Sequence, residues 1–208
     1  MAIKRRGSQE VSATVGLLEV GEYEARLAYV ADLGIIEGQE YKGETKPDCQ
    51  QLCLGLEILG HTVTIDGVDK PQVLWAEPFN LFSTLDVRGR EFKQYKAFCT
   101  NAEPGDVSEW EQFLGSPCNV TIKHSKDGKY ANIAELNPIP LKYQADVEDM
   151  KTEDSCTGDV DDEDNPAQAN MYGLPRWLVD NKRVTEPSDN GEEVVEVEEE
   201  STEEDLPF

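Results

Sequence analysis

After Tyr143 the chain nearly stops supplying apolar side chains and becomes a run of carboxylates. Residues 144–208 carry 22 acidic and 4 basic side chains, a net charge of -18. The residues before them carry 21 acidic and 15 basic, a net of -6, so the total of -24 describes a nearly balanced body joined to a polyanion. A segment of that composition has too little apolar surface to offset the entropy lost on ordering. The folding unit is thereby confined to residues 16–143, about 128 residues, which is the size of one domain. Residues 144–208 are expected to form a largely disordered acidic tail, and 1–15, with Lys4, Arg5 and Arg6 and no periodicity, a flexible basic arm. Two features interrupt the tail. An island at 171–179 gathers Met171, Tyr172, Leu174, Trp177, Leu178 and Val179, and it is expected to pack on the body, a second subunit or a partner. The alternative is a linker with stray apolar residues. The tip at 203–208, "EEDLPF", ends a solvated run in an aromatic ring, which suggests docking over chance.

Within the body the pattern is mostly that of strands. In "GEYEARLAYVADLG", Tyr23, Ala25, Leu27, Tyr29 and Ala31 alternate with Glu22, Glu24 and Arg26, the period of two of a half-buried strand that Asp32 to Gly34 closes. "CQQLCLGLEILG" sets Leu52, Leu54, Leu56 and Ile58 on one face of a second strand. "HTVTIDGVDKPQVLWAEPF" gives two more extended pieces around an Asp-Gly and Lys-Pro turn region. The spacing of Phe92, Tyr95 and Cys99 predicts one helix or a pair, and Ser108 with Glu111 predicts a capping box opening another short one. Val120 and Ile122, an Asp127-Gly128 turn, and a return through Tyr130, Asn132 and Ile133 to Leu136 predict a hairpin. The fold class is mainly β with one or two short helices, an OB-fold-like antiparallel barrel followed by the acidic tail.

Five cysteines, at 49, 53, 99, 118 and 156, show no repeated spacing and are expected to be free thiols in a reducing cytoplasm. On one strand Cys49 and Cys53 would lie roughly 13 Å apart, too far to share a zinc ion. No apolar run has the length of a membrane span or a signal peptide, so no membrane association is expected. The chain has no phosphate-cradling Gly loop, no metal spacing, and only His61 and His124, neither near a nucleophile in sequence. The expectation is a protein that is not an enzyme and needs no cofactor or metal. A metal site built from carboxylates of the body is the enzymatic alternative, and the acidic cluster at Asp161 to Asp164 is expected to be solvated.

Single-stranded DNA binding requires cations for phosphates and flat rings for bases, each stack contributing roughly 1–3 kcal/mol. "RGREFKQYK" interleaves Arg88, Arg90, Lys93 and Lys96 with Phe92 and Tyr95. The terminal hairpin adds Lys123, Lys126, Lys129 and Tyr130, and "EYKG" adds Tyr41 and Lys42 in the first long loop. The competing reading makes Phe92 and Tyr95 core residues and the lysines an ordinary solvated face. The acidic tail can compete with DNA for a basic groove, which reconciles the net charge with a polyanionic ligand.

A body of this kind followed by an acidic tail ending "EEDLPF" resembles the bacterial single-stranded DNA-binding proteins at its tip. The resemblance implies that Asp205 and the terminal carboxylate meet basic residues on a partner, Leu206 and Phe208 fill a pocket, and Pro207 restricts the turn. The body, through "GEYEARLAYVADLG", "LGLEILG" and "GSPCNVTIKHSKDGKYANIAELNPI", resembles the divergent single-stranded DNA-binding proteins of tailed bacteriophages. The island "YGLPRWLVD" has no equivalent in the bacterial tail. Together the resemblances imply a phage replication, recombination or repair protein, in the cytoplasm of the infected bacterial host, that coats single-stranded DNA without sequence preference. Its tip would recruit phage or host replication proteins such as a polymerase or a primase-helicase, with homo-oligomerisation left open. The alternative is an acidic DNA mimic that inhibits a host nucleic-acid enzyme and needs no basic groove.

Overall fold

The computed structural model describes residues 17–38, 40–65, 67–160 and 171–179. The basic arm, Asp161 to Asp164 and the tip Asp205, Leu206, Pro207 and Phe208 lie outside the described residues. The strands are β1 (Gly21–Ile36), β2 (Glu40–Tyr41), β3 (Glu44–Thr45), β4 (Cys49–Ile65), β5 (Val68–Trp75), β6 (Phe79–Asn80), β7 (Pro117–His124), β8 (Ala131–Pro138) and β9 (Cys156–Asp159). Between and after them lie helices α1 (Arg90–Tyr95), α2 (Leu141–Gln144) and α3 (Arg176–Val179) and a 3-10 turn (Glu111–Phe113).

Antiparallel pairing gives the order β5-β4-β1-β7-β8, with β6 extending the β5 edge of β4. This mainly antiparallel sheet is compatible with an OB fold, the expected class. Its barrel is not closed, because the end strands β5 and β8 share no hydrogen-bonded ladder. The predicted leucine face is present: Leu52, Leu54, Leu56 and Ile58 of β4 all join the inner core with Ala25, Leu27, Val120 and Ile122. The predicted final hairpin is β7 and β8, with Gly128 at φ +70 in its turn. Lys70 and Pro71, expected near a turn, lie inside β5, where Pro71 faces Thr62 across a pairing irregularity.

β1 does not alternate as the sequence suggests, and it runs on to Ile36 instead of closing at Gly34. The register jumps from Leu27↔Leu56 to Tyr29↔Gly55, leaving Ala28 as an extra residue, a β-bulge that reverses which face each later side chain takes. Ala25 and Leu27 therefore face the inner core, and so does Val30 beyond the bulge, while Tyr29, Ala31 and Leu33 turn to the other face. That other face is covered by the chain beyond Tyr143, which corrects the placement of the folded body's end. Arg26 ties this segment down by donating Nη1 to Gly115 O at 2.7 Å, Nη2 to Val147 O at 2.9 Å and Nε to Glu148 O at 2.8 Å. Buried Glu57 accepts from Lys151 N at 2.7 Å, Thr152 N at 2.8 Å and Thr152 Oγ1 at 2.6 Å. β9 then pairs parallel with Tyr29 to Asp32, continuing the edge of β1 where β7 leaves it at Arg26. Val160, Met171 and Leu178 complete a second core with Tyr29, Leu33 and Cys53. The acidic segment has few apolar residues, but among its described ones Val160, Met171 and Leu178 are placed where β1 and β4 expose a second apolar face.

Candidate nucleic-acid interface

The expected basic residues fall into three groups. The first is on α1, whose residues Arg90, Phe92 and Lys93, with Lys96 capping its C-terminus, line a groove of about 660 Å³ against Ile133 to Asn137 of β8 and Ala76-Glu77 after β5. It occupies the seam where the sheet fails to close. The groove is not uniformly basic. Arg90 Nη1 pairs with Glu77 Oε1 at 2.9 Å and donates to Pro78 O at 3.0 Å, and Glu135 lies on the opposite wall. Lys96 Nζ donates to the carbonyls of Thr100 and Ala102 and lies 5.8 Å from the Phe92 ring centre. Lys93 is exposed and Phe92 half-buried against the core. Arg88 stands outside the groove, clasped by Asp86 at 2.8 Å, and its guanidinium holds the Asp86 carboxyl down to about 2.

Tyr95 is not available to a base. Its ring is 4% exposed and packs edge-on to Trp110 at 5.1 Å and Phe113 at 5.0 Å, while its hydroxyl accepts from Glu109 N and Gln112 Nε2. For this residue the core reading holds. Burial pushes the Tyr95 phenol up. The capping box is also absent: residues 108–110 are non-helical, and Ser108 Oγ donates to buried Glu91 at 2.5 Å, closing α1 onto the Trp110 loop.

The second group is the β7–β8 tip, where Lys123, Lys126, Lys129 and Tyr130 are exposed, Tyr130 to 65%. Ser125 organises this turn by donating Oγ to Asp127 Oδ1 at 2.6 Å and accepting from Tyr130 N at 3.1 Å. Asp127 also pairs with Lys129 at 3.6 Å, and the Ser125 hydroxyl is the main influence lowering its carboxyl. The third group is the β2–β3 hairpin, with Tyr41 in β2 and exposed Lys42 in the turn. Lys42 at φ +56 and Gly43 at φ +83 have the two left-handed residues of a type I′ turn. The register sets the last two groups at opposite ends of β1, since Gly21 lies beside Ile122 while Ile36 leads into β2. Only the tip and the α1 groove are joined, by β8, which leaves the tip at Ala131 and reaches the groove at Ile133.

Sequence reasoning missed a further arrangement on the second face. Tyr29, Gly55 and Trp75 stand in register across β1, β4 and β5, and the two rings stack at 5.8 Å with planes 9° apart. A Cβ on Gly55 would lie 3.1 Å from both rings' residues, so glycine is what lets them meet. The mid-strand glycine was the available signal, but the bulge that brings Tyr29 opposite it is invisible in sequence. A second groove, of about 620 Å³, is lined by Asp32, Glu109, Glu111 and Asp159, a charge that repels phosphate. Among the described residues no cluster suited to holding a metal ion is present, and no helix is long and apolar enough to cross a membrane. Comparison with known proteins gives no match to any family model, curated protein or solved structure.

Proposed function

We propose that the chain binds single-stranded DNA without sequence preference in phage replication or recombination, and recruits replication enzymes through its acidic C-terminal tip. The observation that carries this reading is the continuity of the β7–β8 tip with the α1 groove. Lys126, Lys129 and exposed Tyr130 lead along β8 to Lys93, Lys96 and Arg90 within roughly 10 Å of strand. Cations for phosphates and a ring for a base thus follow one path, the combination that binding a strand without reading its sequence needs. Glu77 and Glu135 temper the groove, which favours a ligand that stacks as well as pairs charges.

The test is a titration of labelled single-stranded and duplex oligonucleotides with the full chain and with a Lys93→Glu/Lys126→Glu variant, each at two salt concentrations. Tighter binding of the single strand, weakened in the variant together with a shallower salt slope of about 0.7 per lost phosphate contact, supports the reading. Absence of binding to either nucleic acid would overturn it in favour of the acidic mimic.

A further inference from the structure

The stacked pair Tyr29–Trp75 sits on the outer face of β1, β4 and β5, between the β2–β3 hairpin and the β7–β8 tip. That face is taken by the chain's own segment at 171–178. Tyr172 packs against the cluster that holds Tyr29, and its ring lies 5.0 Å from Lys70 Nζ. Gly173 approaches Trp75 Nε1, a buried donor without an acceptor. A ring seated beside a lysine, against the cluster that holds the Tyr29–Trp75 stack, has the chemistry of a nucleobase with its phosphate.

The segment is held in a manner suited to release. Its described backbone bonds are local, Leu174 N to Met171 O and Leu178 N to Pro175 O, and no strand of the sheet pairs with it. Met171 and Leu178 are its buried anchors, while Trp177 is 61% exposed. The indole N–H left without a partner makes the covered state poorer than one in which Trp75 meets solvent or a hydrogen-bonding ligand.

We infer that residues 171–178 are an intramolecular occupant of the Tyr29–Trp75 face, and that single-stranded nucleic acid displaces them to stack there. This rests on the single-strand reading above. The segment then lowers apparent affinity by the fraction of molecules in which it is seated, and weakening its seat restores that affinity.

The experiment is hydrogen–deuterium exchange on the full chain with and without an oligothymidylate of about twenty nucleotides, paired with affinity measurements on Leu178→Ala. Faster exchange at 171–179 on adding the oligonucleotide, with binding about tenfold tighter in Leu178→Ala, is the expected result. If the oligonucleotide binds but exchange at 171–179 is unchanged or slowed, the displacement is wrong and the single-strand reading stands. If neither protein binds it, both fail together.

Discussion

Gly55 decides whether two rings can meet across three strands. A Cβ there would sit 3.1 Å from Trp75 Cη2 and Tyr29 Cβ, contacts that packed side chains do not adopt without shifting. Gly55→Val should therefore destabilise the fold by about 1–3 kcal/mol, seen as a lower midpoint in chemical denaturation. Charge is set at the same scale. Glu77 occupies Arg90, so Glu77→Gln should tighten single-strand binding and steepen its salt slope by up to about 0.7, the equivalent of one phosphate contact. Burial pushes the Cys53 thiol up to about 12 and raises that of Cys118 as well. Below pH 9 the thiols are protonated in folded and unfolded chains alike. Above it only the unfolded chain ionises them freely, so stability should fall as pH rises from about 9 towards 12. At pH 8, iodoacetamide with mass detection should label Cys49, Cys99 and Cys156 well ahead of buried Cys53 and Cys118.

At the scale of elements, Arg26 acts as a clamp, because one planar fork satisfies three carbonyls from two separate segments. A lysine offers a single ammonium and cannot reach all three. Arg26→Lys should cost about 1–3 kcal/mol and speed proteolysis within 147–160 before the rest of the sheet yields. The elements legible in sequence were those whose burial follows one period, namely the β4 leucine face and the β7–β8 hairpin with its Asp-Gly turn. The bulge at Ala28 was not legible, since β1 is apolar on both faces and a change of parity leaves no mark in such a run. Ser108 and Glu111 failed as a capping box because Glu91, distant in sequence, competes for the Ser108 hydroxyl. Among candidate site residues, the exposed lysines of the β7–β8 tip could be read from their turn. The burial of Tyr95 could not, because a helix of six residues shows the same spacing whichever ring it turns inward.

For the whole molecule, composition misplaced the boundary at Tyr143 by averaging over a segment in which Val147, Val160, Met171 and Leu178 are each fully used. Ending the chain after Tyr143 would strip β9 and the second core, and should yield an aggregation-prone protein with no cooperative thermal transition. Ending it after Val179 keeps every described element and should leave a cooperative transition. The contacts that complete the sheet are distant in sequence, the Arg26–Glu148 bond spanning 122 residues. During synthesis β1, β4 and β5 emerge long before β9 and the residues that cover them. Until those arrive, the nascent sheet presents Tyr29, Leu33 and Cys53 to its surroundings, an adhesive surface whose lifetime is set by the ribosome as much as by the fold.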